Sequence, residues 1–173
     1  EETGFYKLAV QLSVVLVAAS AVLGAAFAER FASLWQEGQE AAVVALLRRL
    51  CVLSLMAALA TAFPLVLFEE SLITLLFGSE YLGAIPLLMV LLAYRIADSY
   101  FGPIMMLLNS IGHQQFVSVV MLQSAVIAVI MQIILASLVG ALGLAVATAA
   151  AGVFLKFRLW LEWRRVRLRA TEA

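Results

Sequence analysis

The chain alternates between long stretches without any charged residue and short stretches in which charged residues cluster. Residues 8–28 make up 21 uncharged positions and residues 50–68 make up 19, close to the roughly 20 apolar residues that an α-helix needs to cross a bilayer. No strand pattern competes with this helical reading. We therefore predict an all-α polytopic membrane helix bundle, a single membrane domain over residues 1–173. The five predicted transmembrane helices cover residues 8–28, 50–68, 82–109, 116–138 and 142–163.

The stretches between the spans are polar, and we expect them to lie at the membrane surfaces. Residues 29–49 contain Gly38 and end in two arginines, which predicts a connecting loop followed by an interfacial helix. Residues 69–81 carry three glutamates around an apolar core that is too short to span. This second stretch is therefore also predicted to be interfacial.

The last predicted span combines small residues near its start with basic and aromatic residues near its end. Gly143, Ala147 and Ala151 recur every four positions, a spacing that favours close contact between membrane helices. Two basic side chains near the end are predicted to extend outward to the membrane surface, and two tryptophans fit an interfacial aromatic belt. These four residues are Lys156, Arg158, Trp160 and Trp163.

The composition supports a membrane protein and argues against an enzyme. Hydrophobic residues make up 65% of the chain and charged residues 13%, whereas soluble domains have about 45–50% and about 25%. Cys51 and His113 are the single cysteine and the single histidine, so the sequence offers neither a disulfide framework nor a metal cluster. No nucleophile–base pair and no glycine-rich phosphate loop is present. We expect no enzymatic activity, no cofactor, no metal and no nucleic-acid partner.

The distribution of basic residues predicts the orientation of the chain. The connection over residues 29–49 has three arginines and the tail after the last span has four, whereas the connection over residues 69–81 and the turn before the fifth span have none. Because basic loops stay on the cytoplasmic side, we expect the N-terminus outside and the C-terminus in the cytoplasm. An odd number of spans with an outside start is natural for the back portion of a larger protein.

The third span contains a polar stripe in an otherwise apolar helix. Arg95 and Asp98 lie near its centre, where an arginine costs roughly 2.5–3.5 kcal/mol on insertion scales. At 100° per residue, these two residues, Gly102 and Asn109 fall within about 60° of one another. The stripe is therefore expected to face protein or a cavity rather than lipid.

Several stretches, taken in order, resemble one known family: the polysaccharide exporters, or O-antigen-type flippases, of the multidrug/oligosaccharidyl-lipid/polysaccharide superfamily. The beginning is similar to the family's eighth helix and the cytoplasmic segment after it. The middle is similar to its ninth-to-tenth junction and to a tenth helix that ends in a Leu-Asn-x-x-Gly turn, and the end to its entry into the twelfth helix. The stretches are GFYKLAVQLSVVL (4–16), ERFASLWQEGQ (29–39), LITLLFGSEYLGAIPLLMVLL (72–92), GPIMMLLNSIGHQQ (102–115) and LVGALGLAVATAAAG (138–152).

The resemblance implies that the chain corresponds to helices eight to twelve of a twelve-helix transporter in the bacterial cytoplasmic (inner) membrane. That transporter flips a polyprenyl-diphosphate-linked oligosaccharide for polysaccharide or O-antigen biosynthesis by alternating access. Its partners are the lipid-linked oligosaccharide, the membrane lipids and the N-terminal helices of the full-length protein. The numbering of the family's helices gives the same orientation as the basic residues.

The resemblance also suggests roles for the polar residues. Arg95, Asp98 and Asn109 become candidates for the substrate cavity, with Arg95 serving the diphosphate or a gate and Asp98 holding Arg95 or binding a coupling cation. The alternative is an intrahelical Arg95–Asp98 ion pair that only neutralises itself. Lys7 and Arg30, near opposite ends of the first span, are candidate gate residues or solvated anchors.

Two other functions remain open at this point. A multidrug/cation antiporter of the same superfamily would share the helix plan, although such proteins usually carry acidic sites in the N-terminal half. A non-transporting membrane subunit is the third possibility, and it would be favoured if the chain were a complete gene product.

Overall fold

The structure, a computed structural model, describes residues 5, 7, 9–11, 13 and 27–172, and it confirms the predicted all-α fold. Within these residues every regular element is helical. The α-helices are α1 (27–36), α2 (Glu40–Leu67), α3 (Glu69–Leu76), α4 (Ile85–Ser110), α5 (Gln114–Val139) and α6 (Ala141–Glu172). A 3-10 helix over Ser79–Ala84 joins α3 to α4. Most of the predicted span 8–28 lies outside the described residues.

Two helices are longer than the charge pattern predicted. The prediction of a loop and a separate interfacial helix over residues 29–49 was wrong, because α2 begins at Glu40 and continues without a break into the predicted span 50–68. Arg48 and Arg49 fit within α2 because both side chains are exposed and long enough to reach polar surroundings. In the same way α6 continues to Glu172, past the predicted end at residue 163.

Glycine forms the turns at both ends of α5. Gly112 has a φ of 92° and Gly140 a φ of 64°, a left-handed conformation that residues with a Cβ adopt only at a cost. The N–H of His113 donates to the carbonyl of Leu108 at 2.9 Å, which closes the first turn. These short connections make α5 antiparallel to its neighbours in the chain.

The helices do not pack in the order of the chain. α4 packs between α2 and α6, while α6 packs between α4 and α5. α4 and α6 are therefore neighbours although α5 separates them in sequence. Any site between them combines residues that are about 50 to 60 positions apart.

The contact between α5 and α6 is close, as the small residues of α6 predicted. A Cβ at Gly143 would overlap backbone atoms of Leu135, so only glycine fits there. Further along, the hydroxyl of Ser124 donates to the carbonyl of Ala151 at 2.8 Å. Packing and interhelical hydrogen bonds are the forces that join helices in lipid, where the hydrophobic effect does not.

Two apolar cores lie at the two ends of the bundle. The first joins α1, the start of α2, the end of α4, the start of α5 and the end of α6. The second joins the end of α2, α3, the start of α4 and the start of α6. The largest fully buried side chains are Phe31, Leu50, Leu107, Leu108 and Leu159 in the first core, and Ile73, Leu88, Leu91 and Leu92 in the second. The middle of α4 and α6 lies between the two cores.

Four helical stretches of the described residues are long and apolar enough to cross a membrane. They cover Glu40–Leu67, Ser79–Ser110, Gln114–Val139 and Ala141–Leu168. Their outer faces carry large exposed side chains, such as Leu122, Ile133 and Leu138 on α5, which would be unfavourable in water. The chain is therefore a membrane-embedded helical bundle.

Candidate functional site

An ion pair joins the centres of α4 and α6. The ammonium of Lys156 lies 2.9 Å from Oδ1 of Asp98, and the two side chains are only 11% and 17% exposed. Asp98 lies 13 residues after the start of α4 and 12 before its end. Lys156 lies 15 residues after the start of the span Ala141–Leu168 and 12 before its end. Both charges are therefore near the middle of their helices.

A cleft of about 500 Å³ opens beside this ion pair. Asp98 and Lys156 are its charged lining residues, and most of the other walls are aromatic. Phe157 and Trp160 stack with ring centroids 6.2 Å apart, and Tyr100 meets Phe101 edge to face at 5.1 Å. The full lining is Tyr94, Ala97, Asp98, Tyr100, Phe101, Val153, Lys156, Phe157 and Trp160.

Tyr94 connects the cleft to the packing of α4 against α6. Its ring lies directly on Gly152, where a Cβ would overlap the ring and the hydroxyl. The hydroxyl donates to Oδ1 of Asp98 at 3.5 Å, at the long limit for a hydrogen bond. The glycine therefore lets a large polar ring fit between the two helices, next to the carboxylate.

Arg95 lies next to the ion pair but does not line the cleft. It is one helical turn from Leu91 and Ser99, both of which are buried. Its guanidinium carbon lies 5.4 Å from the centroid of the Tyr94 ring, and its Nε is buried without a hydrogen-bond partner among the described residues. A buried donor without a partner is costly, so the Nε of Arg95 can accommodate a further hydrogen-bond acceptor.

The other predicted site residues lie away from the cleft. Asn109 is half-buried at the end of α4, eleven residues and about 16 Å along the helix axis from Asp98. Lys7 and Arg30 are exposed. Arg30 and Arg49 share a shallower pocket of about 340 Å³ near the start of α2.

The partner of Asp98 is the point that the sequence did not reveal. From the sequence, either Arg95 or a coupling cation was expected to bind Asp98, whereas its carboxylate binds Lys156. The prediction that Lys156 extends outward was wrong, because an acidic partner holds its ammonium inside. A signal was available: Lys156 lies only a few residues past the centre of the predicted span 142–163, too deep for an unpaired charge.

The tryptophans near the end of α6 also differ from the prediction. Trp163 is buried and lies against Trp35, with ring centroids 6.4 Å apart, so it belongs to a core rather than to an interfacial belt. Trp160 is half-buried and lines the cleft. Aromatic residues on α6 therefore help to build the site.

A second charged cluster joins the α4–α5 turn to α6. Nδ1 of His113 lies 3.4 Å from Oε1 of Glu162, and Arg165 lies 3.7 Å from the other oxygen of this carboxylate. Arg165 is largely exposed, so its contribution to stability is small. This cluster fixes the turn against α6 outside the cleft.

The fold and the site together define an integral membrane protein: an all-α bundle with an ion pair between the centres of α4 and α6, beside an open, aromatic cleft. Comparison of the chain with protein-family models, with curated proteins and with solved structures finds no match. The function must therefore be inferred from the residues of the chain itself.

Proposed function

We propose that the chain is the C-terminal part of a bacterial inner-membrane transporter that moves a polyprenyl-diphosphate-linked oligosaccharide from the cytoplasmic to the outer leaflet. The observation that carries this proposal is the Asp98–Lys156 ion pair beside the cleft. Ionisable residues at this depth are expensive, and they typically mark substrate or ion pathways. The resemblance of five stretches to the polysaccharide exporters supports the same class of protein.

The mechanism we propose is alternating access. The cleft between α4 and α6, with its ion pair and aromatic side chains, forms one wall of the cavity, and the N-terminal helices of the full-length protein form the opposite wall. Rocking of the two halves opens this cavity to one leaflet and then to the other. A substrate with a charged head then crosses about 30 Å of hydrocarbon without exposing that head to lipid.

The chemistry of the cleft suits the head of such a substrate. Lys156 supplies a cation for a phosphate oxygen, and this contact would be a charge-assisted hydrogen bond. The rings of Phe157, Trp160 and Tyr100 offer flat apolar surfaces for sugar rings or for the first isoprene units. Such rings contribute large contact areas at low conformational cost.

A drug/cation antiporter is the second candidate, and one observation favours it. Asp98 is a carboxylate among aromatic rings, a combination that suits lipophilic cations. A cation would, however, have to replace Lys156 at this carboxylate and then lie close to Arg95. We therefore rank the antiporter below the flippase, and a non-transporting subunit third.

Complementation separates these candidates. We expect the full-length protein to restore surface polysaccharide in a flippase-deficient bacterium and to leave the sensitivity of the cells to lipophilic cations unchanged. The 173 residues alone should restore nothing, because the cavity lacks its opposite wall. Resistance to cations without polysaccharide export would favour the antiporter, and neither phenotype would favour the subunit.

Cysteine labelling tests the proposed orientation. In a Cys51→Ala background, a cysteine at Ser79 should react with an impermeant maleimide in intact cells, because this position is exposed just before α4 on the side predicted to be outside. Cysteines at Gln39 and Thr171 should react only after the membrane is opened. Labelling of Thr171→Cys in intact cells with protection of Ser79→Cys would reverse the topology.

A further inference from the structure

The centre of the described bundle carries an excess of positive charge. Residues 50–67 of α2 and the whole of α5 contain no charged residue. Asp98 is the only acidic residue between Glu80 and Glu162 in the sequence. Two cations belong to the same region: Lys156, which binds Asp98, and Arg95, three residues earlier on α4. Two cationic groups and one anionic group leave a net charge of +1. A low-dielectric region with this excess favours the entry of an anion.

Asp98 has two possible cationic partners, and it uses only one of them. Its Oδ1 binds Lys156 across the cleft. Arg95 is three residues earlier on the same helix, a spacing at which side chains can meet, and its Nε is buried without a hydrogen-bond partner among the described residues. A change of side-chain rotamer at Asp98 would thus exchange one partner for the other without moving either helix.

We propose that Asp98 is a resident counter-ion, which an incoming anionic group displaces from Lys156 and which then pairs with Arg95. In the empty state the carboxylate of Asp98 binds the ammonium of Lys156, the cation that lines the cleft. In the occupied state the ligand anion binds Lys156, the carboxylate of Asp98 binds the guanidinium of Arg95, and the cluster is neutral. No proton is taken up or released in this exchange.

The cleft identifies the chemical class of this ligand. It is a phosphate or sulfonate anion attached to an apolar or ring-bearing body, because Lys156 lies among aromatic walls. A free inorganic anion would gain the charge contact but not the contact with the rings. This inference rests on the proposed function for the identity of the natural ligand, but the exchange itself is measured by binding, without transport.

Among the described residues, few other charged or polar side chains lie close enough to Asp98 to take part in the exchange. From α4 the hydroxyl of Tyr94 contacts it, and from α6 the ammonium of Lys156 contacts it; Arg95 is three residues earlier on α4. Arg158, the next cation of α6, lies over the ring of Phe154 at 5.9 Å, and neither residue lines the cleft. Arg158 therefore offers a matched control for a charge on the same helix.

Binding of 2-naphthalenesulfonate to the full-length protein in nanodiscs of zwitterionic lipid tests the exchange. This probe carries one negative charge on an aromatic body. Asp98→Asn removes the competitor, so we expect about tenfold tighter binding if Lys156 is free in about a tenth of the wild-type molecules. Adding Lys156→Met should abolish the gain. Arg158→Gln should bind like wild type, and inorganic phosphate should not compete.

Sulfonate binding by Arg95→Gln variants tests the role of Arg95 separately. Because Arg95 acts only as the second partner of Asp98, Arg95→Gln should weaken sulfonate binding in the wild-type background and leave it unchanged in the Asp98→Asn background. An equal loss in both backgrounds would mean that Arg95 binds the ligand directly, and it would overturn the exchange. Weaker binding by Asp98→Asn than by wild type would overturn it as well.

If the Asp98→Asn variant does not fold, infrared difference spectroscopy of the unsubstituted full-length protein tests the exchange instead. Asp98 is the only aspartate in these 173 residues, so segmental labelling of this part of the full-length protein with ¹³C-aspartate marks one site. Addition of the sulfonate should shift the carboxylate band of Asp98 while it remains ionised. A band of protonated carboxyl, or no shift at saturating sulfonate, would contradict the proposal. If the exchange is seen but no polysaccharide is exported, only the proposed transport function fails.

Discussion

Asp98→Asn is expected to destabilise the bundle by about 3–5 kcal/mol, because it removes one member of a buried ion pair and leaves the other uncompensated. The cost should be larger than that of Lys156→Met. Without Asp98, two cations remain near mid-depth with no acidic partner in the described helices. Without Lys156, Asp98 still has Arg95 one turn away. Equilibrium unfolding of the purified protein in mixed micelles measures both differences.

The double variant Asp98→Asn with Lys156→Met provides the control. It removes the pair with nearly the same side-chain shapes, and it keeps the net charge of the cluster at that of the wild type. Replacing both members of a buried pair is often neutral, so its free energy of unfolding should return to within about 1 kcal/mol of wild type. A double variant that is as unstable as the sum of the two single variants would show that the two residues do not act as a pair.

Gly143→Ala is expected to have the second largest effect, a loss of about 1–3 kcal/mol or more, because overpacking forces side chains and backbone to move. The new Cβ would overlap backbone atoms of Leu135, and α5 would have to shift. The matched control is Gly102→Ala on α4, where no atom of the described residues lies within 4 Å of the added atom. That change should stabilise its helix by about 0.5–1 kcal/mol. Similar stabilities for the two alanine variants would contradict the close contact between α5 and α6.

The local pattern of the sequence predicts the helices well and their ends less well. The predicted spans 82–109 and 116–138 agree with α4 and α5 to within three residues at each end. The start of α2 was missed because uncharged runs were taken as the limits of helices. A helix does not end at Arg48 when its side chain is exposed and the backbone hydrogen bonds continue.

Only part of the site could be predicted from the sequence. The position of Asp98 depends on a single helix, whereas its pairing with Lys156 depends on how two helices pack. That Asp98 lies at mid-depth follows from its position within one helix. That it binds Lys156 follows from the packing of α6 next to α4, with α5 on the outside, and the periodicity of a single helix carries no information about this order. Gly152, which accommodates Tyr94, shows the same limit: its neighbour is 58 positions away in the chain.

Export per molecule by the Asp98→Asn, Lys156→Met double variant of the full-length protein is the most direct test of the proposed transport site. The variant should reach normal abundance in the membrane, which removes folding as an explanation. Because the cleft has lost the cation that binds the substrate anion, export should fall at least about tenfold, the value of one charge-assisted hydrogen bond. Arg158→Gln, assayed in parallel, should export normally. Near-normal export by the double variant at normal abundance would contradict the assignment of this cleft as the substrate site.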